Sequence, residues 1–264
     1  MAASPYALLV ASLVLLAPSA RAVSMCPNQP IRLAFYDSGL FYYQGKGVDV
    51  DLVKELQRRT SCTFETSVPP RVRAYTLLEN GQLDIVMAAV ESPARNAFAS
   101  FTPYLQQRFV VIIPRSVAAE KTTLAGFTAD PRLHFGKVRG VSYGLPRDRW
   151  TEHLAEAGRL QIAPNPDIAY RMLQGGRFSA FFAIPLQYEK ELADRGLRDQ
   201  MTIVDWFPSE PPTPRNLALS RKNFTPEQLV AWSALVKTLR TDGAMQAILQ
   251  RYLTPAEAAR AIPK

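Results

Sequence analysis

The stretch IRLAFYDSGLFYYQGKGVDVDLVKELQRRTSCTFETSVPPRVRAYTLLENGQLDIVMAAV, Ile31–Val90, decides the fold. Ile31 to Phe35 is a short apolar run of strand type, and Val48 to Arg59 sets Val48, Leu52, Val53 and Leu56 on one helical face. Next come a predicted strand over Thr63–Thr66, a helix over Val72–Glu79 and a buried apolar strand over Leu83–Val90. Strand, helix, strand, helix, strand is the signature of parallel strands joined by helical crossovers, so the fold class is α/β.

The alternation restarts after the apolar strand Phe109–Pro114. Strands are predicted over Gly136–Ser142, Gln161–Ala163 and Ser179–Ile184, with helices over Arg149–Ala157 and Pro166–Leu173 between them. Phe207–Arg215 is the stretch richest in proline and reads as a stiff, extended crossing segment. A strand over Asn216–Ser220 follows, then a helix opened by Thr225-Pro226-Glu227, an N-cap, a first-position proline and an early acid. A length of 264 residues suits two lobes of roughly 100 residues each. The expected lobes are 23–114 with 208–264, and 115–207, each a mainly parallel sheet flanked by helices and joined by two crossing segments. Leu78-Glu-Asn-Gly81-Gln-Leu83-Asp84 and Leu173-Gln-Gly-Gly176-Arg-Phe178-Ser179 share one spacing of helix end, glycine turn and strand start, a mild sign of duplication.

Residues 1–22 hold an apolar stretch from Tyr6 to Ala17 and then Pro18-Ser19-Ala20-Arg21-Ala22, a signal-peptide core followed by small residues. Cleavage after Ala22 and export to the periplasm are predicted, although no Lys or Arg precedes the apolar run. The run is shorter than the roughly 20 residues a permanent span needs, so a soluble mature chain is expected. The two cysteines, Cys26 and Cys62, each precede a predicted strand and would meet an oxidising compartment. If those strands are parallel neighbours the cysteines form a disulfide; the alternative is two free thiols. The net charge of +8, or +7 without the first 22 residues where Arg21 is the only charge, suits an anionic ligand or membrane surface. Scattered basic residues and the lack of a zinc or RNA-binding signature argue against nucleic acid. His134 and His153 are too few for a metal site or catalytic triad, and no cofactor is expected.

Gly47-Val-Asp49-Val-Asp51-Leu52, the Leu78–Asp84 segment, Ser92-Pro-Ala-Arg95, Phe101-Thr-Pro103-Tyr104, Gly140-Val141 with Gly144, and Asp242-Gly243 occur in that order. Together they resemble the family-3 extracellular solute-binding proteins that serve amino-acid ABC importers. The resemblance covers nearly the whole mature chain. It implies a two-lobed periplasmic-binding-protein-like fold of type II whose last helices return to the first lobe, and a small-molecule ligand enclosed by hinge closure. A monomer working with an inner-membrane ABC permease is the expected partnership.

The best local candidate site is Val90-Glu-Ser92-Pro93-Ala-Arg95: a strand end, a serine placed to cap the next turn, a proline where a missing N–H costs nothing, and Arg95. The turn's free N–H groups and a planar guanidinium suit a carboxylate beyond the strand's carboxyl edge. The resemblance implies that Arg95 holds the ligand carboxylate and that Ala88 and Val90 offer backbone contacts. Arg71 falls where the family often places an aromatic wall, and a second cation there suits a second anionic group; a solvated residue is the plain alternative. Tyr36, Phe41, Tyr42 and Tyr43 surround the loop where family members stack an aromatic, with at least two of them expected in the core or on the surface instead.

The second lobe departs from the amino-acid pattern. Ile184 stands where the family keeps an acid for the ligand ammonium, and Leu145-Pro146-Arg147 replaces small hydroxyl residues after Gly144. Arg147 reads equally as a further anion contact or an exposed residue. A carboxylate-bearing ligand without an essential ammonium is therefore expected. The expectation is a binding protein and not an enzyme. The alternatives are a cyclohexadienyl-dehydratase-like enzyme, which needs a placed acid or base and finds only Glu91 nearby, and a sensor or accessory binding module.

Overall fold

A computed structural model describes residues 24–27 and 30–263. The expected signal peptide, 1–22, lies outside the described residues. The first sheet opens with β1 (Ile31–Ala34), α1 (Val48–Thr60), β2 (Phe64–Ser67), α2 (Arg71–Glu79) and β3 (Ile85–Ala89). A single helical turn, α3 (Pro93–Asn96), leads to the long strand β4 (Ala99–Gln107). The chain then crosses into β5 (Val110–Pro114), α4 (Leu124–Ala129), β6 (Phe135–Val138), α5 (Leu145–Glu156), β7 (Leu160–Ala163), α6 (Pro166–Gln174), β8 (Ala180–Ala183), α7 (Pro185–Asp194) and β9 (Met201–Val204). It returns through β10 (Thr213–Ser220) and ends in α8 (Pro226–Thr241), α9 (Ala244–Leu249) and α10 (Pro255–Arg260).

Two five-stranded sheets result, ordered β2-β1-β3-β10-β4 and β7-β6-β8-β5-β9. They share a plan. Three parallel strands from βα crossovers lie on one side, and the neighbour of the third, β10 or β5, runs antiparallel. The α/β expectation with two sheets flanked by helices therefore holds, each sheet being parallel over three of its strands. The repeated glycine turn is real at the backbone level. Gly81 and Gly176 both take left-handed φ, 74° and 66°, and the next residue's N–H closes on the helix end at 2.8 and 2.9 Å.

Two points differ from the sequence reading. β5 belongs to the second sheet, so the first crossing falls at Arg108–Phe109, ahead of the expected boundary at 114. The sequence reading names no element over β4, whose Pro103 is unusual within a strand. It is tolerated because β4 is an edge strand and because its pairing is bulged: Arg215 pairs with Leu105 and Asn216 with Pro103, leaving Tyr104 as the extra residue.

The β1–β2 pair is parallel, with Ile31 opposite Phe64, and the cysteines that precede these strands form the Cys26–Cys62 disulfide. The N-terminal segment is further tied to α8, where the Gln228 amide and Trp232 indole N–H donate to the carbonyls of Ser24 and Met25 at 2.9 and 2.8 Å. The α8 start is a full capping box between Thr225 and Gln228. An aromatic cluster of Phe127, Phe135, Trp150, Phe182 and Trp206 fills the second lobe, with ring centroids 4.8–6.4 Å apart.

The disulfide closes a loop with a sequence separation of 36 residues. Replacing both cysteines by serine is expected to lower the unfolding free energy by about 3–4 kcal/mol, read from the denaturation midpoint at constant slope. A loss under about 1 kcal/mol would show that the contacts of α8 alone anchor this segment.

Candidate functional site

β3 is buried along its whole length, and its carboxyl end opens on a cleft of about 180 Å³ between the lobes. The first lobe lines it with Ser38, Phe41, Arg71, Ala88, Val90, Glu91, Ser92, Arg95 and Arg215; Phe109, Gly140, Val141, Ser142, Ile184 and Gln187 face them. The volume falls below the roughly 300–1,000 Å³ of pockets for drug-sized molecules, so the site suits a ligand of few heavy atoms.

A buried hydrogen-bond chain shapes the strand end. Tyr104, swung out of the ladder by the bulge, donates its hydroxyl proton to Asp49 Oδ1 at 2.5 Å and accepts the N–H of Ala88 at 3.1 Å. Ala88 sits at φ 49°, a left-handed conformation uncommon for a residue with a Cβ, and that N–H bond fixes it there. The backbone N–H of Val90 goes to Tyr75 Oη at 3.3 Å, and its carbonyl accepts from Arg95 Nη1 at 2.7 Å. The Ala88 and Val90 amides thus have intramolecular partners, and the strand end is a rigid floor. Ser92 occupies the cap position of α3 without a side-chain cap bond, against expectation, because α3 is a single turn.

The guanidiniums stand on aromatic rings. Arg95 lies 3.7 Å over Tyr75 and Arg71 4.4 Å over Tyr36, on adjoining rings whose centroids are 6.4 Å apart. Tyr36 is accordingly a buried platform beneath Arg71 and does not line the cleft, a correction to its expected role as a ligand-stacking ring. Phe41 does line it. Tyr42 instead stacks on Phe35 at 4.9 Å, and Tyr43 lies under Lys190 at 5.1 Å.

Arg147 is neither a cleft residue nor exposed. It is buried at 3 % exposure within the second lobe, 5.1 Å over the Phe207 ring, and burial lowers its pKa from the ordinary value. Its place on α5 turns it inward, and the small residues Gly140, Val141 and Ser142 reach the ligand space instead.

Arg215 is a cleft-lining residue that the sequence reading missed. It sits at the head of β10 beside the bulge, only 6 % exposed, 5.6 Å over Phe109, with no bonded partner for its Nε. Burial, aided by the charge of Arg71, pushes its pKa down to about 10. The available signal was a lone charge opening the apolar run Asn216–Ser220 of a central strand. Reading Phe207–Arg215 as a crossing segment hid it.

The lobes touch at one rim of the cleft. Gln187 Nε2 donates to Ser38 Oγ at 2.6 Å and Leu40 N–H to the Leu186 carbonyl at 2.5 Å. A Cβ on Gly39 would stand 2.5 Å from that carbonyl oxygen, so a glycine is required for this approach.

A two-lobed α/β protein with a small cleft at the strand ends is a solute-binding architecture. Residues 28–255 match the family described as bacterial extracellular solute-binding proteins, family 3, and the chain belongs to it. No curated protein compared by sequence matches. Among solved structures, a binding component of an ABC transporter from Wolinella succinogenes complexed with lysine has 17% identity and a TM-score of 0.68, with 85% of this chain and 95% of that chain covered. A structure described for glutathione import via GshT and the cystine ABC importer TcyBC of Streptococcus mutans has 13% identity and a TM-score of 0.69, with 90% and 98% covered. The ancestral amino-acid-binding protein AncCDT-1, described as a precursor of cyclohexadienyl dehydratase, has 17% identity and a TM-score of 0.66, with 84% and 94% covered. At these identities the likeness is one of fold. No described helix is long and apolar enough to cross a membrane.

Asp49 is fully buried, with Oδ2 unpartnered, and burial raises its pKa to about 7 against the opposing Tyr104 hydrogen bond and Arg215 charge. From the ordinary value of 3.8 up to about 7, the folded state keeps a proton that the unfolded state releases, so Asp49's contribution to stability fades as pH rises through that window. Asp49→Asn removes the ionisation. Its melting temperature is expected to rise relative to the wild type from about pH 4 to about pH 7 and to level off above that. A difference that stays constant with pH would refute the assignment.

Proposed function

We propose that this family-3 protein captures a small carboxylate-bearing anion in the periplasm by hinge closure and delivers it to an ABC permease. The observation that carries the reading is the charge balance of the cleft. Among its lining residues stand Arg71, Arg95 and Arg215 against a single acid, Glu91. Glu91 is exposed and accepts from the Asn96 amide at 2.9 Å. The wall where a family acid would meet an ammonium is Ile184, buried and apolar, beside Val141. A cationic amino acid of the kind bound in the Wolinella structure would leave its ammonium groups unpaired near three guanidiniums, which a partly desolvated site penalises. Arg95, supported on Tyr75 and held by the Val90 carbonyl, supplies a positioned two-pronged donor for one carboxylate.

The protein is further read as binding its ligand without converting it. Proton-transfer chemistry needs an acid or base within hydrogen-bond reach of the reacting atom, and Glu91 is the one lining carboxylate.

A thermal-shift screen of mono- and dicarboxylates, aromatic acids and amino acids tests the binding reading. At about 100 times Kd a ligand adds about 2.7 kcal/mol, a midpoint rise of roughly 5–10 °C. Anionic compounds are expected to produce that rise, and Arg95→Ala to abolish it. Stabilisation by cationic amino acids alone would sink the reading, and carbon dioxide released from prephenate or arogenate would replace it with an enzymatic one.

A further inference from the structure

We propose that Arg71 and Arg215 form a second anion subsite beside Arg95, so that the ligand is a short dianion, two carboxylates on a compact apolar spacer. This inference rests on the anion-binding reading above and narrows it.

The argument begins with Arg215. A guanidinium that is more than nine-tenths buried, with an Nε lacking any hydrogen-bond partner and no carboxylate in salt-bridge contact among the described residues, is an unsatisfied group. It lines the cleft, so an occupant of the cleft is the partner available to it. Asp49, a buried acid whose charge acts on Arg215, is hydrogen-bonded through Oδ1 to Tyr104 and makes no salt bridge to this guanidinium. Arg71 faces the same space, and its guanidinium lies over the Tyr36 ring, which supports the cation without neutralising it. Arg71 and Arg215 are thus two cleft-lining cations without a salt-bridge partner among the described residues.

Arg95 is separate from this pair in support but near it in space. Its ring, Tyr75, adjoins Tyr36 at 6.4 Å, so the cation positions are fixed a short distance apart. One monocarboxylate at Arg95 would leave Arg71 and Arg215 facing each other uncompensated. Two anionic groups match the set.

The opposite wall defines the middle of the ligand. Phe109, Val141 and Ile184 are apolar, whereas Ser142 and Gln187 are neutral and bonded within the protein, Ser142 to Asp148 at 2.6 Å and Gln187 to Ser38. No charge waits there for an ammonium. A hydrocarbon spacer fits against these side chains, and the volume of about 180 Å³ keeps it short.

The test is titration calorimetry on the wild-type protein with dicarboxylates from malonate to glutarate, each paired with its mono-amide of nearly the same shape. A charge-assisted hydrogen-bond pair predicts that at least one diacid binds about 10- to 100-fold tighter than its mono-amide. Arg71→Gln, at the half-exposed start of α2, is expected to bring that ratio close to one, and Arg95→Ala to weaken both members of the pair. Arg215→Gln is expected to do the same as Arg71→Gln, its folding checked by its unliganded melting curve. Equal affinity within every pair overturns the second subsite while leaving the anion reading standing. A ratio that survives Arg71→Gln also overturns it. If neither diacid nor mono-amide binds and lysine does, the anion reading itself has failed.

Discussion

The hydroxyl of Tyr104 governs the geometry of the cleft. It stands between a buried acid at the start of α1 and the backbone of the last turn of β3, donating to one and accepting from the other. That placement depends on a bulge that leaves Tyr104 unpaired in β4, and the same bulge sets Arg215 at the cleft. One irregularity of pairing therefore both bends Ala88 into its left-handed conformation and delivers a buried cation. The other end of β3 is fixed just as firmly. Asp84 accepts from the backbone and guanidinium of Arg32 at 2.7–3.0 Å and from the Asn223 amide at 2.6 Å, joining β1, β3 and the segment after β10. With both ends held, β3 offers a floor whose position does not depend on the ligand.

Several recognisable residues of the chain therefore lie outside the cleft lining. Asp49, Asp84 and Tyr104 belong to motifs that mark the family, yet each acts on the backbone of β3 or its neighbours. The cations that line the cleft, Arg71, Arg95 and Arg215, sit on a helix start, a one-turn helix and a returning strand. Shape is held by buried hydrogen-bonded groups, and charge is presented by side chains propped on aromatic faces. A guanidinium on a tyrosine keeps its donors free for an outside acceptor, which an ion pair within the protein would not allow.

Local patterning carried the sequence reading a long way and then stopped for identifiable reasons. The parallel trios in both lobes, the paired starts of β1 and β2 with their cysteines, and the box at Thr225 are written in runs of adjacent residues, where periodicity and capping chemistry act. Arg95 was legible because it follows a strand end and a Ser-Pro start. Arg215 was not, because what makes it special is its burial between β3 and β4, which are more than 100 residues away in sequence and pair with it only through the crossover. Arg147 failed in the opposite sense. Its neighbours in sequence suited the cleft and the surface equally, while α5 turns it inward over the Phe207 ring. Periodicity could not supply either orientation.

The concentration of charge on the first lobe bears on how the proposed closure would be driven. Arg71, Arg95 and Arg215 all belong to the first lobe, whereas the second lobe brings Val141, Ile184, Ser142 and Gln187. An anion would therefore be recognised before the lobes meet, steered by the open positive face. The second lobe then gains nothing from charge of its own; its apolar wall expels water and lowers the local dielectric around ion pairs already formed, which strengthens them. The contacts at the rim, Ser38 with Gln187 and Leu40 with Leu186, fix the register of approach, and Gly39 leaves room for it. In this arrangement selectivity lies with one lobe and retention with the other. Under the proposed function, an apolar Ile184 in this wall favours an anionic occupant over an ammonium, with no change of fold required.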